Sequence, residues 1–227
     1  MGERLIVFSP HPDDETLGCG GVIAKKLSEG YDIKVVIITD GRYAFYNVLG
    51  IKSNPTPDEL KEIRKKEVKK ALRILGVEEG NILFLDFVDG SLKDYQKEFE
   101  NKIIEILSKY SPNEVFIPHK NDGHIDHRIA NKIIKEVVRK LGLRVRCYEY
   151  MITHKFARIG PIVDSLVNHL LRKNIVKVDV SRFLHLKEQA IQEFKSEIVV
   201  PLTHKRPVVS NAKKFLSKNE TFILENL

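Results

Sequence analysis

The sequence predicts an α/β fold, a three-layer sandwich whose central sheet is mostly parallel. Two observations support this prediction. Short apolar runs alternate along the chain with amphipathic helical patterns, and this alternation is typical of βαβ units and parallel sheets. In addition, polar clusters directly follow two of the apolar runs, at residues 10–15 and 123–127, as expected where the strands of an open α/β sheet end at a ligand crevice.

The individual elements follow in order from this alternation. The runs Leu5 to Phe8, Val35 to Ile38 and Val115 to Ile117 have the continuous apolar character of strands that are buried on both faces. The first five strands are predicted at 4–8, 33–38, 82–87, 114–118 and 145–150. Amphipathic helices are predicted between them, at 16–29, 57–75, 95–110 and 126–141.

The signals weaken beyond residue 150. The elements predicted there are a helix at 162–173, a strand at 175–179, a helix at 181–195 and a closing strand at 221–225. No repeat, low-complexity tract or linker divides the chain, and 227 residues suit one domain. Residues 1–227 are therefore expected to form a single, Rossmann-like domain.

The composition agrees with an enzyme and disfavours a nucleic-acid-binding or membrane protein. The net charge is +7, but the 38 basic residues are interleaved with 31 acidic ones, which is typical of solvated, ion-paired helices. No apolar run reaches the roughly 18 residues of a membrane span, and residues 1–9 lack the pattern of a signal peptide. A cytoplasmic location is therefore expected.

Cys19 and Cys147 form no Cys-x-x-Cys pair, so neither a disulfide framework nor a cysteine-rich zinc site is supported.

One imidazole and three carboxylates follow the first predicted strand, in the run Pro10-His11-Pro12-Asp13-Asp14-Glu15. Alone, this run would suit a solvated acidic turn before a helix, because carboxylates favour helix N-termini. A second cluster, Gly123-His124-Ile125-Asp126-His127, lies about 110 residues downstream and also follows an apolar run. Two clusters of histidines and carboxylates at two strand ends predict one metal site.

The chemistry of catalytic zinc restricts which residues bind the ion. Such a site takes three N or O ligands, commonly two His and one carboxylate, and keeps a fourth position for water. His11 and Asp14 lie three residues apart on a turn entering a helix and can face one point, and His127 can complete the set. Asp13 then remains free as the base that takes a proton from the water.

Two residues of the second cluster remain for other roles. An oxyanion that develops during the reaction needs a hydrogen-bond donor, for which His124 is the candidate. Asp126 is expected to fix the orientation of the His124 ring.

Both clusters resemble the signatures of a known family, the PIG-L or LmbE-like zinc-dependent N-acetylglucosamine deacetylases. Those signatures are Pro-His-Pro-Asp-Asp-Glu and a later His-x-Asp-His, and both stand complete here as Pro10 to Glu15 and His124 to His127. The roles that the resemblance implies agree with those reached from the residues: metal ligands His11, Asp14 and His127, general base Asp13, and His124 with Asp126 at the oxyanion or leaving group.

Two further segments extend the resemblance and suggest substrate-binding residues. Thr39-Asp40-Gly41 is similar to the family's Thr-Asp-Gly at a strand end beside the site. Arg64-Lys65-Lys66-Glu67 is similar to its Arg-x-x-Glu helix, whose arginine is implicated in substrate contact. Asp40 and Arg64 are therefore the candidate substrate-binding residues, although Arg64 and Glu67 also have the i,i+3 spacing of an exposed ion pair.

Other segments match the family less well. Lys187 and the run Phe194 to Glu197 resemble a Lys…Ser-Gln region, but Glu197 stands where the family usually has Gln, so no role is implied for it. The loop 42–57 and the segment 154–174 match no family motif, and the identity of the aglycone is expected to depend on them.

The resemblance implies a metal-dependent hydrolase that removes the N-acetyl group from a GlcNAc-type amino sugar or its conjugate, by attack of metal-activated water on the amide carbonyl. Zinc is the implied cofactor, and other divalent metals such as Fe2+ suit the same ligands. The expected partner is a small-molecule amino sugar, with no nucleic acid and no integral membrane segment. A homo-oligomer is also implied by the family.

Three alternative functions remain open. One is a different metal-dependent amidase acting on a glycoconjugate, similar to the mycothiol conjugate amidases. A non-haem iron oxygenase also uses two His and one carboxylate, but its first two ligands are commonly spaced as His-x-Asp, whereas three positions separate His11 from Asp14. A dinucleotide-binding oxidoreductase is disfavoured, because the glycines at 18, 20 and 21 lack the Gly-x-Gly-x-x-Gly order directly after the strand.

Overall fold

The fold is taken from a computed structural model, which describes residues 2–152, 174–201 and 205–227. These residues contain a seven-stranded sheet. Its strands are β1 (Arg4–Ser9), β2 (Asp32–Thr39), β3 (Ile82–Phe87), β4 (Glu114–Pro118), β5 (Arg146–Tyr150), β6 (Ile175–Asp179) and β7 (Asn219–Asn226).

The strand order across the sheet is β3-β2-β1-β4-β5-β7-β6. Strands β1 to β5 pair in parallel, whereas β7 runs antiparallel to both of its neighbours, β5 and β6. The predicted α/β class with a mostly parallel sheet is confirmed. All seven predicted strands are present, with ends that differ from the predictions by at most two residues.

Helices cover both faces of this sheet. They are α1 (Asp14–Ser28), α2 (Pro57–Ile74), α3 (Gln96–Tyr110), α4 (Ile125–Lys140), α5 (Leu184–Gln192) and α6 (Lys195–Ile198). The helix predicted at 181–195 is present but shorter: a 3-10 turn at Ser181–Phe183 leads into α5. It ends before Phe194, whose ψ is 61° and whose ring is buried in the core, so that α5 and α6 are separate. The helix predicted at 162–173 lies outside the described residues.

Successive side chains of β1 enter two different cores. Leu5 and Val7 belong to the core that packs against α1, α2 and α5, whereas Ile6 and Phe8 belong to the core that packs against α3 and α4. A strand between two helical layers has no solvent face, which explains why its sequence is apolar without alternation. No helix in the described ranges combines the length and the apolar character that crossing a membrane requires.

The side of β1 on which the chain adds new strands changes when the chain reaches β4. After β1 the chain adds β2 and β3 on one side, and it then returns to place β4 on the other side of β1. The connections that follow β1 and β4 therefore leave the sheet towards opposite faces, and the crevice between them is where open α/β sheets bind ligands. Both His-containing clusters follow these two strands.

The glycine-rich stretch of α1 serves close packing. A Cβ at Gly18 would lie 2.5 Å from the Tyr150 ring, and a Cβ at Gly21 would lie 2.7 Å from Val180. These glycines therefore let β5 and the segment after β6 approach the helix, which accounts for them without a dinucleotide.

A buried ion pair crosses the same region. The Lys187 Nζ lies 2.6 Å from Glu220 Oε1, and both side chains are almost completely buried. The Glu220 carboxylate also accepts hydrogen bonds from the backbone N–H groups of Gly21 and Val22, each at 2.8 Å. Glu220 thus ties the closing strand β7 to the middle of α1 and to α5.

Replacing one member of this pair is expected to destabilise the fold strongly. Glu220→Gln would leave the Lys187 ammonium buried without its counter-charge, and breaking a buried pair in this way costs about 3–5 kcal/mol of unfolding free energy. The matched control is Glu136→Gln, because Glu136 lies 4.0 Å from Lys132 in an exposed pair and is expected to change stability by less than about 1 kcal/mol. Urea unfolding of both variants measures the difference, and equal losses would contradict this account.

Candidate metal centre and active site

Three candidate ligand atoms converge in the crevice between β1 and β4. His11 follows β1, Asp14 opens α1, and His127 lies in the first turn of α4. The His11 Nδ1 lies 3.0 Å from His127 Nε2 and 3.3 Å from Asp14 Oδ2, and the last two atoms lie 3.1 Å apart. The structure therefore brings together the three residues that the sequence proposes as ligands, although the two clusters are far apart in the chain.

These separations suit a tetrahedral metal ion. Ligand bonds of about 2.0–2.2 Å, as in zinc sites, place neighbouring ligand atoms about 3.3–3.6 Å apart, close to the observed triangle. Further histidine and carboxylate atoms lie within 4.8 Å of one another in two sets, His11 with His124 and His127, and His11 with Asp89, His124 and Asp126. This group of histidines and carboxylates can therefore hold a metal ion.

The two ring nitrogens of His11 face different partners. While Nδ1 faces Asp14 and His127, Nε2 lies 3.3 Å from Asp89 Oδ1 and 3.3 Å from Asp126 Oδ2. A neutral imidazole has one lone pair and one N–H. A metal ion on Nδ1 therefore leaves Nε2–H to donate to a carboxylate, as metal-bound histidines usually do.

The structure places the Asp126 carboxylate against His11 more closely than against His124. Its distance to His124 Nδ1 is 4.0 Å, and it accepts backbone hydrogen bonds from Gly90 at 2.8 Å and from Leu92 at 3.2 Å. The Asp126 residue contacts the His124 ring through its backbone N–H, which donates to His124 Nδ1 at 3.3 Å, and its role in orienting that ring stays a prediction. The turn after β3 reaches the site and holds Asp126 there.

Asp89 is a site residue that the sequence analysis missed. It follows β3 in the short run Val88-Asp89-Gly90 and carries no recognisable motif. Its position could have indicated a site residue, because Asp89 follows β3, and the end of β3 lies at the same edge of the sheet as the ends of β1 and β4.

The negative charges around His11 and His127 favour the binding of a cation. Burial lowers the pKa of His127, but the charge of Asp14 and hydrogen bonds to Asp122 and Asp14 outweigh burial and raise this pKa to about 9. Burial likewise lowers the pKa of His11, and hydrogen bonds to its carboxylate neighbours raise it well above its ordinary value. Both rings therefore hold protons that a bound metal ion would displace.

His124 differs from the other two histidines. It is the N-cap of α4, where its Nδ1 accepts a hydrogen bond from the Asp126 backbone N–H at 3.3 Å. Burial and the neighbouring His11 and His127 lower the pKa of His124 to about 4. The ring is thus neutral at pH 7, with its proton on Nε2, and 39% of the side chain is exposed towards solvent. It is the histidine of the cluster best able to donate a hydrogen bond to a bound molecule.

Asp13 sits on a strained turn that Glu15 and Arg64 hold in place. Its backbone φ of 132° is unfavourable for a residue other than glycine. Glu15 accepts hydrogen bonds from the Asp13 N–H at 3.2 Å and from the Ser9 hydroxyl at 2.8 Å. Arg64 Nη2 donates to the carbonyl of Pro12. The turn therefore places the Asp13 carboxylate 3.7 Å from Arg64 Nη2, at the expense of local strain.

Arg64 and Glu67 do not form an exposed ion pair. Both side chains are buried, with Arg64 only 3% exposed, because each contacts the dipeptide Ser196-Glu197. Arg64 Nη2 lies 2.9 Å from Glu197 Oε1, and Glu67 accepts hydrogen bonds from the backbone and hydroxyl of Ser196. The side chain proposed as a substrate contact is engaged inside the protein, beside Asp13.

The Thr39-Asp40-Gly41 segment stabilises the turn that holds Asp13. Thr39 donates through N–H and hydroxyl to the carbonyl of Pro10, at 2.9 and 2.7 Å. Gly41 has a φ of 65°, and its carbonyl accepts a hydrogen bond from Arg64. Asp40, the other candidate substrate-binding residue, is buried and pairs with Arg42 Nε at 2.7 Å.

Comparison with known proteins agrees with the geometry of the site. Residues 6–138, more than half of the chain, match the family described as PIG-L, GlcNAc-PI de-N-acetylase. The chain belongs to the PIG-L family. Both His-containing clusters lie within the matched residues.

Individual relatives of this PIG-L protein act on different molecules. A diacetylchitobiose deacetylase of Thermococcus kodakarensis is 28% identical over 202 residues, which cover 86% of this chain and 70% of that protein. A mycothiol S-conjugate amidase of Streptomyces coelicolor is 29% identical over 149 residues, which cover 57% of this chain and 50% of that protein. The chain thus spans only about half the length of the second relative.

A solved structure agrees with the fold. The N,N'-diacetylchitobiose deacetylase of Pyrococcus horikoshii, complexed with its inhibitor MPG, matches with a TM-score of 0.71 at 24% identity. The match covers 99% of this PIG-L chain and 84% of that chain.

Substituting Gly41 is expected to disturb the contact with Arg64. A Cβ at Gly41 would lie 2.4 Å from Arg64 Nη1, in addition to the cost of a left-handed backbone. Gly50→Ala is the matched control, because Gly50 has a φ of 73° and no atom within 4 Å of the added Cβ. The control is expected to cost about 1–2 kcal/mol of unfolding free energy, and Gly41→Ala about 1–3 kcal/mol more, owing to overpacking. Urea unfolding measures both, and similar losses would mean that Arg64 does not occupy this position.

Proposed function

We propose that the protein is a divalent-metal-dependent hydrolase that removes the acetyl group from the nitrogen of an N-acetylglucosamine unit. The observation that carries this proposal is the convergence of His11 Nδ1, Asp14 Oδ2 and His127 Nε2 within 3.3 Å of one another. Membership in the PIG-L family and the similarity to a diacetylchitobiose deacetylase support the acetamide as the group that is cleaved.

His11, Asp14 and His127 would hold the metal ion. Two imidazoles and one carboxylate suit zinc, and the same donors also accept other divalent ions such as Fe2+. An ion bound there would supply Lewis acidity, which lowers the pKa of water and polarises a carbonyl group. Asp89 and Asp126 would fix the tautomer of His11 by accepting its Nε2–H.

Asp13 is the proposed general base. Burial raises the pKa of its carboxyl group well above the usual range, the charge of Glu197 raises it further, and Arg64 offsets part of this shift. A carboxylate whose pKa approaches the working pH is a more effective base. Asp13 takes one proton from water as the water oxygen bonds to the carbonyl carbon. It returns this proton to the amide nitrogen as the C–N bond breaks, which yields acetate and the amine.

His124 is the proposed oxyanion donor. Its Nδ1 is occupied as an acceptor by the cap of α4, so its proton lies on Nε2. A neutral imidazole donor stabilises the negative charge that develops on the carbonyl oxygen. Arg64 and Asp40 are proposed to shape the substrate side of the crevice, Arg64 by holding the turn before Asp13 and Asp40 by holding Arg42 of the adjoining loop.

The test is acetate release from a panel of GlcNAc-containing substrates by metal-stripped protein, before and after zinc is added back. The panel contains free GlcNAc, a chitin disaccharide, a sugar nucleotide, an inositol glycoside and a thiol-bearing glycoside. We expect release from at least one substrate only after the metal is restored. No release by protein that holds about one zinc ion per chain would contradict the proposed reaction.

Two adjacent aspartates separate the base from the ligand in the same assay. Asp13→Asn is expected to retain about one zinc ion per chain but to lose about 10²–10⁴-fold in kcat, the usual contribution of a general base. Asp14→Ala, its matched partner, is expected to lose the metal as well. If Asp13→Asn lost zinc as readily as Asp14→Ala, the two roles would have to be reassigned.

The similarity to a mycothiol S-conjugate amidase supports one second candidate. In that reaction the same residues would cleave an amide of a glycoconjugate other than an N-acetyl group. Assaying the liberated amine together with acetate distinguishes the two reactions, because the amidase releases amine without acetate.

A further inference from the structure

The two ring nitrogens of His127 face different surroundings. Its Nε2 lies 3.0 Å from His11 Nδ1 and 3.1 Å from Asp14 Oδ2, the other two proposed ligand atoms. Its Nδ1 lies 3.2 Å from Asp122 Oδ1. Asp122 directly precedes the cluster of residues 123–127 and belongs to neither of the two clusters from which the proposed ligands come. The nitrogen that faces away from the proposed ligands thus meets a further carboxylate.

Both sides of this contact are buried. The exposed fraction is 2% for His127 and 0% for Asp122, so a proton on His127 Nδ1 needs an acceptor within the protein. The separation of 3.2 Å lies at the long end of the N–H···O range. No other N or O atom of the described residues forms a hydrogen bond with this nitrogen. Asp122 is therefore the acceptor available to it.

The Asp122 carboxylate is held in place by two backbone N–H groups. Its Oδ1 accepts a hydrogen bond from His124 at the start of α4, and its Oδ2 accepts one from Ile152 after β5, both at 3.1 Å. The Asp122 carbonyl accepts a further bond from Arg128 Nη1 at 2.9 Å. The carboxylate cannot turn away from His127 without losing these bonds.

A carboxylate in this position selects one tautomer of the histidine. An ionised carboxylate accepts hydrogen bonds and donates none, so Asp122 stabilises the form of His127 that has its proton on Nδ1. The lone pair of that form lies on Nε2, which faces His11 and Asp14. Metal-bound histidines usually donate their other N–H to such a group, which fixes the ring and strengthens the ligand.

We propose that Asp122 is a positioning residue for the metal site: it keeps the proton of His127 on Nδ1 and so presents the lone pair of Nε2 to the metal ion. The inference rests on one part of the proposed function, namely that His127 is a metal ligand. It does not depend on which amide is cleaved.

Asp122→Asn tests this role, because it keeps the size of the side chain and removes the charge that stabilises Nδ1–H. We expect the dissociation constant for zinc to rise about 10–100-fold, the usual effect of altering such a partner. Competition with a chromophoric chelator measures this constant. A change of less than about twofold would overturn the proposal.

Asp179→Asn is the matched control. Asp179 Oδ1 accepts a hydrogen bond from the Ser181 N–H at 2.9 Å, two residues further on, just as Asp122 Oδ1 accepts one from His124. This turn is exposed and lies at the end of β6. The dissociation constant for zinc is expected to stay within about twofold of that of the unaltered protein. An equal rise in both variants would count against a specific role for Asp122.

A double-mutant cycle shows whether Asp122 acts through His127. In a His127→Ala background the imidazole is absent, so adding Asp122→Asn is expected to change the dissociation constant for zinc by less than about twofold. The same 10–100-fold rise in both backgrounds would mean that Asp122 attracts the ion by its charge alone. That result would overturn the proposal.

NMR of the zinc-loaded, unaltered protein tests the tautomer directly, and it applies even if Asp122→Asn does not fold. With 15N-labelled histidine, we expect the signals of His127, assigned by their loss in His127→Ala, to show a proton on Nδ1 and zinc on Nε2. A proton on Nε2 with zinc on Nδ1 would overturn the proposal.

Neither the zinc affinity nor the NMR measurement uses a substrate. If no acetate is released while Asp122→Asn weakens zinc binding through His127, the proposed reaction fails and the role of Asp122 stands. If acetate is released and Asp122→Asn binds zinc as tightly as the unaltered protein, only the role of Asp122 fails.

Discussion

Buried carboxylate charge at one edge of the sheet is the constraint on which the site depends. Asp14, Asp89 and Asp126 all lie within 3.3 Å of the His11 ring, and Asp14 also contacts His127. Removing such charges from water costs several kcal/mol for each ion unless they are paired. Protonated imidazoles or a divalent cation provide that pairing, which is why the pKa values of His11 and His127 are raised. A bound divalent cation would balance the same negative charge, and it would leave the proposed base Asp13 and the proposed donor His124 free of the metal.

The topology of the sheet makes this concentration of charge possible. Because β1 and β4 are neighbours although two βα units separate them in sequence, the turns that follow them meet in one crevice. The turn after β1 is strained at Asp13, and three separate elements stabilise it: Thr39 at the end of β2, Arg64 on α2 and Glu15 in α1. Strain at the proposed base is thus offset by rigid neighbours, as is common where a side chain must be aimed.

The sequence was sufficient to predict the fold and the convergence of the three proposed ligands, for different reasons. Strands buried on both faces are continuous apolar runs, and the two histidine clusters are compact motifs, so local patterns predicted both. The position of Asp89 depends on how β3 ends beside β1, and no local pattern marks it. The burial of Arg64 and Glu67 was missed because their partners, Ser196 and Glu197, lie about 130 residues away in the chain. The bonds from Gly90 and Leu92 to the Asp126 carboxylate were not predicted, because those residues lie 36 and 34 positions away in the chain.

The position of a bound zinc ion tests the central claim most directly. Crystals of the zinc-loaded protein, measured at the zinc absorption edge, would give an anomalous peak for the ion. The expected result is one peak at about 2.0–2.2 Å from His11 Nδ1, Asp14 and His127 Nε2. A peak bound instead by His11 Nε2, Asp89 and Asp126 would contradict the account, because the proposed base would then no longer adjoin a metal ligand.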